Sequence, residues 1–255
     1  MPSGWQKLDD VSLNPQPSPP SSPLSPAHLS IEAPPTPPTP PTPPPLSRKL
    51  YLTVAIASLN SANLGYDLAS SASVAPLLAL PPWSLTDLQL SLFIGSINLT
   101  ALLGVILSRT LSDSYGRVNT FTISSVIFLS SLLLQTLSHD FPLLLLGRLI
   151  LGLAIGIGLS LDPIYIAEIV PPTHRGLLVS CSEIGINIGL IIGYLVGYLA
   201  DPHWRTMLFA GTVMPTILLT LIKCNLLPES PRWLVANGRE EEALAPPSRA
   251  GAPPG

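Results

Sequence analysis

Charged residues are scarce in this sequence. Only 11% of its 255 residues are Asp, Glu, Lys or Arg, against about 25% in ordinary soluble domains. The net charge of −3 is too small to indicate a nucleic-acid partner. Two cysteines, Cys181 and Cys224, lack a metal-binding or redox spacing and are expected to be inert thiols. The sequence contains no hydrolytic triad, metal-ligand cluster or phosphate-binding glycine loop, so it predicts neither an enzyme nor a bound cofactor.

Long apolar runs are abundant instead. Hydrophobic residues make up 47% of the chain, and a membrane span needs about 20 of them to cover ~30 Å of hydrocarbon. Six runs meet this length, at residues 50–78, 88–107, 118–137, 141–161, 177–200 and 207–227. Soluble core helices are rarely apolar on all faces for so long. The sequence therefore predicts an all-α, multi-pass protein of the lipid bilayer with six transmembrane helices.

The distribution of basic residues predicts the orientation of these spans. Short loops rich in Lys and Arg favour the cytoplasmic side. Basic residues precede the first span, lie between spans two and three and between four and five, and follow the sixth, whereas the alternate loops contain only Arg205. We therefore expect both termini to be cytoplasmic, in a plasma membrane or an internal membrane such as that of the vacuole.

The two ends of the chain differ in composition from the middle. Residues 1–47 hold 16 of the 31 prolines, a composition that favours polyproline II and cannot form a packed core. We expect a disordered cytosolic tail there, with docking of an SH3-like or WW-like partner as the alternative. Residues 244–255 are a second low-complexity tail. The predicted domains are thus 1–47, a six-helix membrane domain at 48–243, and 244–255.

Asp67 and Arg148 fall inside predicted spans, where a charge costs ~2.5–3.5 kcal/mol and therefore needs a partner or a function. At 1.5 Å per residue, Asp67 lies ~25 Å from the start of the first span, and Arg148 lies ~10 Å from the opposite surface. These depths match, so we hypothesise an Asp67–Arg148 pair that gates a proton. A static salt bridge between two helices remains an equal alternative.

Glu183 and Asn187 lie one turn apart on the same face of the fifth span. A carboxylate and an amide both accept hydrogen bonds from hydroxyl groups, so the two side chains suit a cavity for a polyhydroxylated ligand. The alternative is a packing contact by Asn187 beside a neutral, protonated Glu183.

Glycine recurs at every fourth position of the same span, at Gly185, Gly189, Gly193 and Gly197. Small residues at this spacing allow two helices to approach closely in a membrane. We expect this stripe to pack against another helix.

Several short motifs resemble the sugar porter family of the major facilitator superfamily. They are PIYIAEIVPPTHRG at 163–176, PESPRWL at 228–234, DSYGR at 113–117, GYD at 65–67, GR at 147–148 and WR at 204–205. Their order and positions relative to the spans follow the family's pattern over about residues 49–242. Details at 59–60, 112–114 and 183–187 resemble the family's polyol and monosaccharide proton symporters.

The resemblance implies roles for particular residues. Asp67 would be the proton-linked carboxylate paired with Arg148, and Glu183 would border the substrate, beside Asn187. A cytoplasmic charge network that stabilises the outward-facing state would comprise Asp113, Arg117, Glu168, Arg175, Glu229 and Arg232. Three residues depart from the family's pattern: Arg109 replaces a glycine, Val118 replaces a basic residue, and Asp162 occupies a position that is usually small and neutral.

The family has twelve helices in two six-helix halves around a central site, and this chain resembles only the amino-terminal half. We expect proton-linked transport of a sugar, polyol or inositol by alternating access, with the chain being a truncated half whose second six-helix half is missing. A half-length protein that works with a dimer partner is one alternative. Another is a non-transporting membrane protein that binds sugar or regulates a full-length transporter.

Overall fold

The structure, a computed structural model, describes residues 46–244 and is helical from end to end. The predicted tails 1–47 and 244–255 lie outside the described residues, apart from residues 46, 47 and 244. The helices are α1 (Arg48–Leu78), α2 (Asp87–Tyr115), α3 (Arg117–Thr136), α4 (Phe141–Ile169), α5 (Arg175–Ala200), α6 (Trp204–Ala210), α7 (Val213–Lys223), α8 (Pro231–Ala236) and α9 (Glu240–Leu244), with a 3-10 turn at Pro172–His174.

Side-chain caps begin the long helices α1, α2 and α4 close to the points where the apolar runs begin. The hydroxyl of Ser47 accepts from the backbone N–H of Leu50, and Asp140 accepts from Leu143 at 3.0 Å. Thr86 and Gln89 form a reciprocal capping box at the start of α2. Each cap satisfies an N–H group that the first helical turn leaves without a partner.

Five helical segments are long and apolar enough to cross a membrane, judged by length and composition: α2, α3, α4, α5 with its preceding turn, and α6 and α7 together. The first predicted span coincides with α1, which has 31 residues but is not among these five. Its composition is more polar because it contains many Ser and Asn residues in addition to Asp67. Most of these polar side chains are buried against neighbouring helices. The six predicted spans thus all correspond to helical segments, and α1 is the least apolar of them.

Several boundaries differ from the sequence prediction. The second predicted span ends at 107, whereas α2 continues to Tyr115. The fourth span does not end near 161, since α4 continues through Pro163 to Ile169. The sixth span is two helices, because α6 ends at Ala210 and α7 begins at Val213. Pro215 has no N–H group to donate to the carbonyl of Gly211, so a continuous α-helix lacks one bond here. The hydroxyl of Thr212 donates to the carbonyl of Phe209 at 2.6 Å within this break.

The packing of the helices centres on α1 and α4. The most extensive contacts join α1 to α5 and α2 to α4, and α3 also packs along α4. The predicted glycine stripe of α5 lies on α1. An added Cβ at Gly185 would overlap the carbonyl oxygen of Ser58, and Gly189, Gly193 and Gly197 likewise face backbone or side-chain atoms of α1. The expectation of close helix packing at this stripe is confirmed.

Candidate functional site

A buried ion pair joins α1 to α4. Arg148 Nη1 donates to Asp67 Oδ1 at 2.8 Å, and the two side chains are 0% and 1% exposed. Arg148 Nη2 donates to the hydroxyl of Ser71, which itself donates to the backbone carbonyl of Asp67 at 2.6 Å. The guanidinium carbon lies 4.0 Å from the centre of the Phe93 ring, a cation–π contact with α2. The two charges that the sequence placed at matching depths are therefore in direct contact.

The two charges of this pair neutralise each other, but one hydrogen-bond donor of Arg148 remains unused within the described part of the chain. Arg148 Nε is buried and has no hydrogen-bond partner among residues 46–244. A buried pair of this kind gains Coulomb energy but loses hydration, so its net contribution to stability is small, whereas removing one partner costs ~3–5 kcal/mol. The arrangement is thus sensitive to any event that neutralises one member, such as protonation of Asp67.

Glu183 and Asn187 lie on an exposed face of α5. The Asn187 side-chain amide donates to the backbone carbonyl of Glu183 at 2.8 Å. This bond leaves the side-chain carbonyl oxygen of Asn187 and the carboxylate oxygens of Glu183 available as acceptors. A groove of about 370 Å³ lies between α1 and α5. The groove itself is lined mainly by apolar side chains, including Val54, Leu178 and Ile188, and neither Glu183 nor Asn187 lines it.

Part of the predicted charge network is assembled at the other end of the bundle. Arg117 donates from Nε and Nη2 to the two carboxylate oxygens of Glu168, at 2.9 and 2.8 Å. Its Nη1 reaches Asp113 at 3.3 Å and the carbonyl of Ser112 at 2.8 Å. This two-point contact with Glu168 is geometrically specific and stronger than a single ion pair.

Glu229 joins this cluster by accepting hydrogen bonds from backbone N–H groups of α3, and not by pairing with a basic side chain. Its carboxylate accepts from the N–H groups of Arg117, at 2.8 Å, and Val118, at 3.2 Å. It therefore caps the first turn of α3, where Gly116 has φ +92° and offers no capping side chain. An anion at this position is favoured by the partial positive charge of a helix N-terminus.

Arg175 and Arg232, the other two members of the predicted network, have no salt bridge within the described residues 46–244. Arg232 is exposed on α8, and Arg175 is half-buried at the start of α5. Their contribution to the network stays a prediction.

A second buried carboxylate, Asp162 of α4, was noted in the sequence only as a departure from the family pattern. It is 1% exposed. Asn60 Nδ2 donates to Asp162 Oδ1 at 2.8 Å, and the hydroxyl of Ser61 donates to Oδ2. The signal available in the sequence was a charge directly after the apolar run at 141–161, in a helix that continues to Ile169.

Comparison with known proteins gives consistent similarities. The family described as "Sugar (and other) transporter" matches residues 53–251. "Probable polyol transporter 4" of Arabidopsis thaliana is 35% identical over 203 residues, which cover 77% of this chain and 38% of that protein. "Solute carrier family 2, facilitated glucose transporter member 8" of Mus musculus is 34% identical over 204 residues, covering 79% and 42%.

Among solved structures, the proton:xylose symporter XylE of E. coli, bound to 6-bromo-6-deoxy-D-glucose, superposes with a TM-score of 0.71 and 25% identity. The match covers 76% of this chain and 48% of that one. The chain therefore spans between about two fifths and one half of the length of these relatives.

Proposed function

The chain belongs to the sugar transporter family of the major facilitator superfamily, and from this premise we propose that its six helices form one wall of a proton-linked transporter of a sugar, polyol or inositol. The observation that carries the proposal is the Asp67–Arg148 pair, fully buried at 2.8 Å between two helices. The transporter works by alternating access, and Asp67 is the group that takes up and releases the proton.

Protonation of Asp67 supplies the coupling. The neutral carboxyl group no longer attracts Arg148, which keeps its contacts with Ser71 and Phe93. The free-energy difference between the outward-open and inward-open states then changes by the altered strength of this pair. A difference of a few kcal/mol between states is sufficient to shift a two-state population.

Glu183 and Asn187 border the substrate. A carboxylate facing lipid is costly, and intramembrane polar groups usually face a bundle interior or a water-filled cavity. Both side chains are exposed in this six-helix unit, so a polar cavity outside it is the favourable environment for them. A second six-helix wall, supplied by further helices or by a dimer partner, closes that cavity and provides the remaining contacts to the substrate hydroxyl groups.

The cluster around Arg117 acts as a latch at the cytoplasmic end of the bundle. Asp113, Arg117, Glu168 and Glu229 hold α2, α3, α4 and the α7–α8 segment together. Arg175 and Arg232 extend this charged surface toward the second wall in the outward-facing state. The abundance of basic residues at this end supports a cytoplasmic location for it and for both termini, in a plasma or internal membrane.

Uptake into proteoliposomes tests the proposal. The native protein, in its complete form, is reconstituted and labelled glucose, xylose, sorbitol and inositol are supplied with and without an inward proton gradient. We expect accumulation of at least one of them with the gradient, loss of that accumulation in Asp67→Asn, and retention of exchange at equal concentrations. Asp87→Asn, which changes an exposed carboxylate at the start of α2, is the control and should transport normally.

Two results would overturn parts of this proposal. Undiminished gradient-driven accumulation by Asp67→Asn would exclude the proton role of this pair and leave the static salt bridge. Saturable binding of a sugar without uptake or exchange would contradict transport and favour a sugar-binding or regulatory membrane protein.

A further inference from the structure

The α1–α4 interface contains a carboxylate with no counter-ion. Asp162 is 1% exposed and contacts Asn60 and Ser61, both neutral. Arg148, the cation buried in the same helix, lies 14 residues away, about 21 Å along the axis. Arg148 is held by Asp67 and cannot reach this group.

No other charge in the described residues compensates Asp162. Within 46–244 none of the ionisable groups on the helices packed against α4 forms a salt bridge or hydrogen bond with it. These groups are Arg48, Lys49, Tyr51, Tyr66 and Asp67 on α1; Asp87, Arg109, Asp113 and Tyr115 on α2; Arg117 on α3; Arg175, Cys181, Glu183, Tyr194 and Tyr198 on α5; Arg232 on α8; and Arg148, Tyr165 and Glu168 on α4 itself.

An isolated buried carboxylate is so costly that such a group normally becomes neutral by binding a proton. We propose that Asp162 is a second proton-binding site of this six-helix unit, occupied in the present conformation and emptied when water enters the α1–α4 interface. On emptying, the O–H bond of the Asp162 carboxyl group breaks and the proton passes to a water molecule.

The neighbouring side chains satisfy both protonation states. A carboxylate accepts from Asn60 Nδ2 and from the hydroxyl of Ser61. After protonation, Oδ1 still accepts from Asn60, while the new O–H group donates to the oxygen of Ser61, because a hydroxyl is both donor and acceptor. The Ser61 proton then turns toward the carbonyl of Ala57, one turn back, a common bond for serine in a helix. Each state thus gives both carboxyl oxygens of Asp162 a hydrogen-bond partner.

A small cavity gives water a place beside the site. Asn60 and Ser61 line it together with Gly158 and Phe128. The volume open to the centre of a water molecule is about 10 Å³, which is close to what one water needs. An added Cβ at Gly158 would lie 2.5 Å from Asn60 Nδ2, so the absence of a side chain at 158 is what lets the amide reach Asp162. Loosening of α1 from α4 would enlarge this cavity and hydrate the carboxyl group.

Infrared spectroscopy of the complete native protein in membranes tests the proposal, because a protonated carboxyl group absorbs apart from a carboxylate. We expect a protonated-carboxyl band near neutral pH that is lost in Asp162→Asn and kept in Asp87→Asn. The amide is a close mimic of the neutral acid, so this variant should fold. An undiminished band in a folded Asp162→Asn protein would refute the second site.

A second pair of variants keeps the test valid if Asp162→Asn fails to fold. Ser61→Ala removes the acceptor of the carboxyl proton and should shift the frequency of the band. Ser124→Ala removes a buried hydroxyl that donates to the carbonyl of Ala154 at 3.0 Å and should leave the band unchanged. Equal spectra for both serine variants would contradict the proposed geometry. These readouts need no transport, so they are separate from the outcome of the uptake experiment.

Discussion

The contact between α1 and α5 provides a sharp prediction about stability. Gly189 of α5 faces the backbone of α1, where an added Cβ would overlap the carbonyl oxygen of Ala62 and lie 2.8 and 2.9 Å from its C and Cα atoms. These are backbone atoms and cannot rotate away. An ordinary contact of 3.4 Å with the carbonyl carbon alone requires a local separation of about 0.6 Å, the difference between 3.4 and 2.8 Å, and relief of the overlap with the oxygen requires more.

A gap of this size forfeits about a quarter of the dispersion energy of each affected contact, and overpacking of this kind costs ~1–3 kcal/mol. Alanine also gains up to ~1 kcal/mol over glycine in helix propensity, which obscures the effect in a single variant. Gly95→Ala in α2 is the matched control, because nothing lies within 4 Å of its added Cβ. It receives the propensity gain without the clash.

We therefore expect Gly189→Ala to be less stable than Gly95→Ala by ~1–3 kcal/mol. The free energy of unfolding is measured in mixed detergent micelles titrated with a denaturing detergent, with tryptophan fluorescence as the readout. Equal stabilities of the two alanine variants would refute the close α1–α5 contact. A bulkier Gly189→Val should increase the difference, since its extra methyl groups need further separation.

Three other outcomes follow from the polar contacts. Arg148→Met should lower the free energy of unfolding by ~3–5 kcal/mol because it leaves the Asp67 carboxyl group buried without its cation, and the double variant with Asp67→Leu should recover most of that loss in the same micelle titration. Glu229→Ala should cost ~1–2 kcal/mol by removing the cap of α3, and hydrogen exchange at the N–H groups of Arg117 and Val118 should accelerate; unchanged exchange would contradict the capping role. Arg117→Lys keeps the charge but loses the two-point contact with Glu168, so it should shift the conformational equilibrium of the bundle. The shift is measured as a changed rate of reaction between a thiol reagent and a cysteine introduced by Ser180→Cys. The control Arg239→Lys should leave that rate unchanged.

The Asp67–Arg148 contact was predictable because each residue is a charge inside an apolar run and their depths along two helices agree. Hydropathy and the rise per residue are enough for that inference. The glycine stripe of α5 was predictable for a related reason, since a period of four places its members on one helix face. Its partner helix, α1, was not predictable, because any neighbouring helix satisfies the same requirement.

The contacts of Glu229 and Asp162 were beyond the sequence. Glu229 accepts from the backbone N–H of Arg117, which lies 112 residues earlier in the chain. A backbone donor leaves no side-chain pattern in the sequence that could predict this contact. Asp162 was noted only as a departure from the family pattern, and its partner Asn60 lies 102 residues away. The sequence also grouped Arg175 and Arg232 with the Arg117 cluster, whereas no salt bridge joins them to it within residues 46–244.

The sequence by itself determined the positions and order of the apolar spans and the family to which they belong. Hydrophobicity acts segment by segment, and the family motifs are short and contiguous, so neither needs knowledge of distant contacts. Only the tertiary structure decided which face of each helix meets which neighbour, and hence that Asp67 has a cation while Asp162 has only neutral donors. The physical reason is that lipid and protein interiors are similarly apolar, so hydropathy alone does not specify the rotation of a membrane helix about its axis.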